Sequence, residues 1–392
     1  MRVAIVGGSV GGLTAALLLR DAGHEVRVLE RSPTPLVGAG AGMLAFDETV
    51  RYIAERTDLR VDDLVVERSR VRHLDAAGNR IHEAPQAYRF TSWDSIARGL
   101  ERAFDGDALQ LGRDCIGVEQ DADGVDVLLA DGSAERADLA VLADGAFSQS
   151  RKRLFGVDVE YAGYVAWRAV CTRDTLPAGV WDELAEGFTY GLIGGSHALA
   201  YPIPVADGLD VRDAETRMNA LWYRPVPAGE TYDALFTDRS GVLRHSSVAA
   251  EAVDPRHVAE MRAAADRLLA PPFAAVMQSA AQPFLTAIVD ADVPAMRTGR
   301  VCLLGDAAVL ARPHPAAGAA KAARDAWALA AALDGATAAD APAALQCWEA
   351  TVLEPNRAVL ARGRAMGARL QGPLGAWDPD GPLARLGLPV PG

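Results

Sequence analysis

Three acidic residues in this 392-residue chain close short apolar runs: Glu30 ends "EVRVLE", Asp144 precedes Gly145, and Asp306 follows Gly305. A carboxylate ending a strand that follows a glycine loop, as Glu30 does, can accept hydrogen bonds from ribose hydroxyls. His314 lies between Pro313 and Pro315. Its ordinary pKa is near neutrality, so it can orient a substrate hydroxyl or take its proton. A histidine between two prolines can equally do no more than shape a turn. Lys321 is one of only two lysines among 39 basic residues, and the other six histidines are isolated. The four cysteines, Cys115, Cys171, Cys302 and Cys347, form no C-x-x-C pair, so neither a metal site nor a disulfide framework is expected. No Ser-His-Asp order or H-E-x-x-H run offers hydrolytic chemistry. The residues point instead to a bound nucleotide.

The elements around them agree. Val3–Val6 is predicted as a buried strand running into "GGSVGG", Gly7, Gly8, Ser9, Val10, Gly11 and Gly12. Leu13 to Ala22 is predicted as a helix stopped by Gly23, and Glu25–Glu30 as a second strand. This is the spacing of a βαβ nucleotide unit, with the helix N-terminus facing a pyrophosphate. Ser9 replaces the usual middle glycine; it is small, and its hydroxyl can donate to a phosphate oxygen. Two distant segments repeat the strand-then-glycine pattern. One is "ADLAVLADGAFSQSRKRL" (Ala137 to Leu154); the other, "GRVCLLGDAAVLARPHPAAGAAKAARDAWALAAAL", starts at Gly299 and enters a helix near Gly318.

With the glycine loop, D-G-x-x-S-x-x-R and G-D in this order, the chain resembles the class A flavoprotein monooxygenases, the family of p-hydroxybenzoate hydroxylase. Within it the likeness is to the 2,6-dihydroxypyridine hydroxylases, through Ser9, Arg312-Pro313-His314, "FTYGL" (Phe188 to Leu192), "AYPIP" (Ala200 to Pro204) and Lys321. The resemblance implies non-covalent FAD, NADH or NADPH as a transient reductant, and O2 added at flavin C4a for transfer to an electron-rich ring. It implies that Asp306 binds ribityl or pyrophosphate oxygens, that Asp144 supports the loop or the nicotinamide, and that Arg151 works nearby. It also implies cofactor contacts at Arg31, Gly40, Trp93, Cys115, Pro313, Ala317, Gly318, Ala319, Ala320 and Lys321. Lys321 can add positive charge at the flavin or point to solvent. Relatives carry G-Q-G-M-N where this chain has Ala316-Ala317-Gly318-Ala319-Ala320, and many carry arginine near Trp93.

The expected fold class is α/β with an α+β insert. A Rossmann-like FAD domain (1–70, 98–165 and 283–335) carries an antiparallel substrate sheet (71–97 and 166–282) and a C-terminal helix and tail (336–392). Phe188, Tyr190, Tyr201, Trp222 and Tyr223 are expected to wall the substrate pocket. A net charge of −13 gives no basic stripe for nucleic acid. No apolar run approaches a membrane span, and Met1 leads straight into a strand, so a cytoplasmic enzyme, possible as a homodimer, is expected. The expected activity is hydroxylation of a small hydroxylated, hydroxypyridine-like ring. The alternatives are a larger phenolic or polyketide intermediate, for which small Ala316, Ala317 and Ala320 leave room, and a non-catalytic flavin binder.

Overall fold

The apolar runs become the strands of a parallel sheet in the computed structural model, which describes residues 1–34, 42–104, 106–205 and 215–389. The chain begins β1 (Arg2–Val6), α1 (Val10–Asp21), β2 (Glu25–Glu30), β3 (Gly42–Leu44), α2 (Asp47–Arg56), β4 (Val66–Leu74), β5 (Arg80–Ser92) and α3 (Trp93–Ala103). It continues β6 (Leu109–Leu111), β7 (Cys115–Gln120), β8 (Val125–Leu129), β9 (Ala134–Ala137), β10 (Leu139–Leu142), α4 (Gln149–Phe155), β11 (Glu160–Cys171) and α5 (Val180–Leu184). Then come β12 (Phe188–Ile193), β13 (Ser196–Val205), β14 (Glu215–Pro225), α6 (Glu230–Phe236), β15 (Ser247–Val248), α7 (Pro255–Leu268) and α8 (Pro271–Ser279). The last are β16 (Phe284–Asp290), β17 (Arg297–Thr298), β18 (Val301–Leu303), α9 (Gly318–Ala332) and α10 (Ala341–Leu370).

β17-β18-β10-β1-β2-β6 form one sheet, parallel from β18 to β6. The strands at its centre are almost wholly apolar, because α1, α9 and a separate three-stranded sheet, β7-β8-β9, all pack into one core with them; Ile5, Leu13, Leu17, Val141, Leu303 and Leu329 are fully buried there. α1 carries leucine and alanine almost all round, as a helix inside that core must. Gly7 has φ +106°, and a Cβ on Gly12 would lie 2.0 Å from the Gly7 carbonyl oxygen, so the tight strand-to-helix turn requires both glycines.

The larger sheet runs β15-β16-β11-β14-β13-β12-β4-β5-β3 and is antiparallel except where β12 meets β4. β3 and the start of β4 fall within 1–70, expected in the cofactor domain, yet they pair here; β11 likewise begins at Glu160. Each is a long or edge strand whose pairing carries it across the expected boundary. Alternation sorts side chains between the two faces. Val165, Trp167, Ala169, Ala198, Ala200, Ala220 and Trp222 pack beneath, against α8 residues such as Phe273 and Met277. Tyr164, Ala166, Leu199, Tyr201, Leu221 and Tyr223 pack on the other face with Phe188 and Tyr190. That second face looks onto the parallel-sheet domain.

The units are tied by buried polar groups. Arg151, almost wholly buried, donates to the carbonyls of Asp306 (3.1 Å) and Ala146 (2.8 Å), joining the two distant acidic turns. Asp144 accepts from Ser148 Oγ (2.5 Å) and from the Ser150 N–H (3.1 Å), while Ser148 caps α4 through the Arg151 N–H. Buried Asp290 on β16 accepts from Arg312 (2.7 Å) and from Arg364 on α10.

Candidate active site

Between the two sheets lies a cavity of about 330 Å³. One side is the end of the parallel-sheet domain: Trp93 at the start of α3, Asp306, and the turn from Arg312 into Gly318 and Ala319. The roof is the upper face of the large sheet, with Phe188, Tyr190, His197, Leu199, Tyr201, Tyr223, Arg168 and Thr286. Leu370 of α10 and Leu386 of the C-terminal tail close the edge, and the Gly387 N–H donates to the Pro315 carbonyl (2.7 Å).

Two helices point bare N-termini toward this region. Neither α1, begun at Ser9, nor α9, begun at Ala317, has a side-chain cap or an acidic residue in its first turn. Four orphan N–H groups at a helix start favour an anion. The turn into α9 is built by Ala316, which takes the left-handed φ of 56°, the position where the resembling sequences carry glycine. Lys321 does not point to solvent. It is fully buried, its Nζ 3.6 Å from Asp306 Oδ1 and without a hydrogen-bond acceptor. A buried amine so placed is satisfied by an additional anionic or polar group. These features fit FAD: α1 and the Gly7–Gly12 loop for the pyrophosphate, Asp306 for hydroxyls, and α9 with Lys321 for negative charge.

The other cofactor expectations fall out unevenly. Glu30 is buried and accepts from the Gly8 N–H (2.7 Å) and the Ser32 N–H (2.8 Å), so it braces the loop whatever else it binds. Arg31 is exposed just beyond β2. Cys115 donates its thiol to the Gly117 carbonyl (3.5 Å) and is not among the residues lining this cavity, and burial raises its pKa. Gly40 lies outside the described residues. Pro313, Gly318 and Ala319 line the cavity, whereas Ala317 and Ala320 are buried in the first turn of α9.

Of the five expected wall aromatics, Phe188, Tyr190, Tyr201 and Tyr223 line the cavity. Trp222 does not. It precedes Tyr223 by one residue and so faces the reverse core, where its Nε1–H donates to Ser196 Oγ (2.9 Å). Phe188 stacks on Tyr201 at 5.3 Å, and Tyr201 on Phe90 at 4.9 Å, giving a rigid aromatic roof.

His314 lines the cavity, and its Nε2 is 2.6 Å from the Tyr164 hydroxyl. Burial, reinforced by the Arg312 charge, lowers its pKa to about 3, so the ring is neutral and is not the near-neutral base its residue type suggested. Burial keeps the Tyr164 hydroxyl protonated, and since its oxygen already accepts from Arg312, the O–H donates and Nε2 accepts. Beside it, His197 stacks on Tyr223 at 4.5 Å and lies 5.3 Å from His314, centroid to centroid. Gln371 Nε2 reaches both His197 Nδ1 (3.1 Å) and the Tyr223 carbonyl (3.3 Å). It therefore donates to both, which leaves the His197 proton on a buried Nε2 with no partner. His197, Tyr164 and Arg168 were not singled out from the sequence. The signal for Tyr164 and Arg168 was the alternation along β11, where Tyr164, Ala166 and Arg168 share one face; for His197 it was the same alternation along β13, where His197, Leu199 and Tyr201 share one face.

A model of an FAD binding domain matches residues 1–175, and one described as FAD binding domain-like matches 161–290. The chain is 39% identical over 389 residues to 2,6-dihydroxypyridine 3-monooxygenase of Paenarthrobacter nicotinovorans, covering 99% of this chain and 96% of that one. The chain belongs to the class A FAD-dependent aromatic monooxygenases. The solved 2,6-dihydroxypyridine-3-hydroxylase from Arthrobacter nicotinovorans superposes on this monooxygenase with a TM-score of 0.94, over 99% of this chain and 97% of that one, at 39% identity. Similarity extends to 3-amino-4-hydroxybenzoate 2-monooxygenase of Streptomyces cremeus, 30% identical over 97% of this chain and 89% of that one. FAD is the cofactor of this monooxygenase, with a reduced nicotinamide as electron donor and O2 as co-substrate. No helix among the described residues is long and apolar enough to cross a membrane.

The buried imidazoles set an acid limit on the monooxygenase. His73 and His314 are pushed to about 3, and His197 well below its ordinary value, all chiefly by burial. A lowered folded-state pKa means that the unfolded chain binds more protons below about pH 6.5. Stability is therefore fully present above that pH and falls as the pH drops toward 3, by roughly 1.4 kcal/mol per pH unit for each histidine. Unfolding midpoints measured from pH 7 to 4.5 should fall steeply, and replacing His73 with Gln should flatten the fall. An unchanged midpoint across that range would contradict the neutral burial of these rings.

Proposed function

We propose that the enzyme hydroxylates a small hydroxylated heteroaromatic ring, with hydroxypyridines as the substrate class. The observation that carries this is the 330 Å³ cavity walled by four stacked or edge-on aromatics, a size at the lower end of ligand pockets. The 39% identity to a 2,6-dihydroxypyridine 3-monooxygenase over 99% of the chain supports the ring type. Of the three small residues that would make room for a larger phenolic substrate, Ala316 lines the cavity, whereas Ala317 and Ala320 are buried at the start of α9.

When bound, FAD supplies the redox chemistry, accepting electrons from NAD(P)H and delivering one oxygen atom of O2. The protein's part is placement. Tyr201, Phe188 and Tyr190 present flat apolar area to the ring, while His197 Nε2–H and the His314–Tyr164 pair offer polar groups at its edge. Leu370 and Leu386 exclude water from one side. The net charge of −13 and four free cysteines support a reduced, cytoplasmic setting without a nucleic-acid partner.

The test is turnover of the FAD-loaded protein with NADH or NADPH and a panel of hydroxypyridines and phenols, read by product mass. A hydroxypyridine product heavier by one oxygen atom is expected. NAD(P)H oxidation that yields only hydrogen peroxide with every hydroxypyridine would overturn the assignment.

A further inference from the structure

The roof of the cavity carries a positive charge that no described residue answers. Arg168 sits on β11, on the face it shares with Tyr164 and Ala166, and lines the cavity. Its neighbours Trp167 and Ala169 point into the reverse core. Across the sheet it stands beside Leu221 of β14 and Phe284 of β16, neither able to accept a hydrogen bond through its side chain. Among the described residues no carboxylate pairs with its guanidinium, and none of its N–H groups donates within hydrogen-bond distance.

Every other charge on the lining has its counter-charge. Arg312 is held by Asp290 at 2.7 Å, and Asp306 faces Lys321 at 3.6 Å. The remaining titratable groups around Arg168 are uncharged: Tyr201 from β13 and Tyr223 from β14, held protonated by burial, and the buried imidazoles His197 and His314. An arginine cannot shed its charge to relieve partial burial, and its planar fork matches two in-plane oxygens.

We propose that Arg168 selects the substrate as an anion, pairing with a negatively charged oxygen in the plane of the bound ring, either a ring oxyanion or a ring carboxylate. This rests on reading the cavity as the ring site. Placing that charge beside the ring also keeps a hydroxylated substrate ionised, the electron-rich form that an electrophilic oxygen attacks, without any protein base.

Equilibrium titrations of the FAD-loaded enzyme, followed by the flavin absorbance change, test this without turnover. The probes are benzoate against benzamide, and 2,6-dihydroxypyridine from pH 4 to 8. In the wild type, benzoate should bind more tightly than benzamide, or dihydroxypyridine affinity should rise with ionisation of the ring. The first result identifies a carboxylate as the preferred anion and the second an oxyanion. Arg168→Met should weaken anion binding by roughly 10- to 150-fold while leaving benzamide affinity and FAD content unchanged, and Arg168→Lys should restore part of the loss. The proposal falls if the wild type shows no preference for either anion, if Arg168→Met weakens benzamide as much as benzoate, or if both variants lose FAD. Anion preference without turnover of any hydroxypyridine would leave Arg168 in its role and remove only the hydroxypyridine assignment.

Discussion

Gly12→Ala protein is expected to purify without flavin colour. The added Cβ would lie 2.0 Å from the Gly7 carbonyl oxygen and 3.1 Å from its carbon, both backbone atoms that no rotamer change can move. Relief requires α1 to move off the turn, and that turn is fixed on its other side. A Cβ on Gly7 would meet the Ala143 carbonyl at 2.3 Å, and the Gly7 N–H already donates to the Leu29 carbonyl at 2.9 Å. Overpacking in a rigid site costs about 1–3 kcal/mol or more, and the shift also takes the first N–H groups of α1 out of line with a pyrophosphate. FAD affinity should fall by at least roughly 10²-fold. Gly11→Ala is the control, because its Cβ would meet only the side chains of Ala322 at 3.1 Å and Leu304 at 3.2 Å, which can give slightly. The measurement is flavin absorbance per protein after desalting, with circular dichroism to confirm folding. Full flavin retention by folded Gly12→Ala would mean that the cofactor is not seated on this loop.

The parts of this enzyme readable from sequence are those determined by local chemistry. The glycine turn, Glu25–Glu30 as β2, the helix at Gly318 and the C-terminal helix within 336–392 are each written in contiguous residues, and they sit where their patterns put them. The cavity wall was only half legible. Phe188, Tyr190, Tyr201 and Tyr223 were visible as aromatics at strand spacing, but Trp222 and Tyr223 are adjacent and must face opposite ways. Which of the two meets the substrate depends on how β14 pairs with β11 and β13, a long-range fact. Polar residues were harder still. Arg168 is one of many arginines until it is seen to line the cavity with no described carboxylate paired to it. His197 looks isolated until β13 brings it beside His314, more than a hundred residues on. The direction of Lys321 depended on which face of α9 packs inward, and Ala-rich helices leave that face unmarked.

His314→Ala should cost roughly 10²-fold in kcat/KM, the scale of a misplaced reacting group, while sparing FAD binding. It should do so without removing any pH dependence. A ring held at about pKa 3 is neutral throughout the working range and cannot store a substrate proton. Its capacity lies elsewhere: Nε2 accepts from Tyr164 at 2.6 Å, which fixes the proton on Nδ1 and orients the ring at 5.0 Å from Tyr223. Removing the imidazole leaves the buried Tyr164 hydroxyl without its acceptor and opens space beside the ring site, so product per NAD(P)H should fall as peroxide rises. Tyr164→Phe keeps the imidazole and should show the same uncoupling more weakly. The deciding measurement is kcat/KM against pH from 5.5 to 8.5 for the wild type and both variants, corrected for ionisation of the substrate. Parallel profiles displaced downward support an orienting role. A wild-type limb near pH 6.5 that vanishes in His314→Ala would show instead that the imidazole titrates during turnover, and that substrate binding restores the basicity that burial removes.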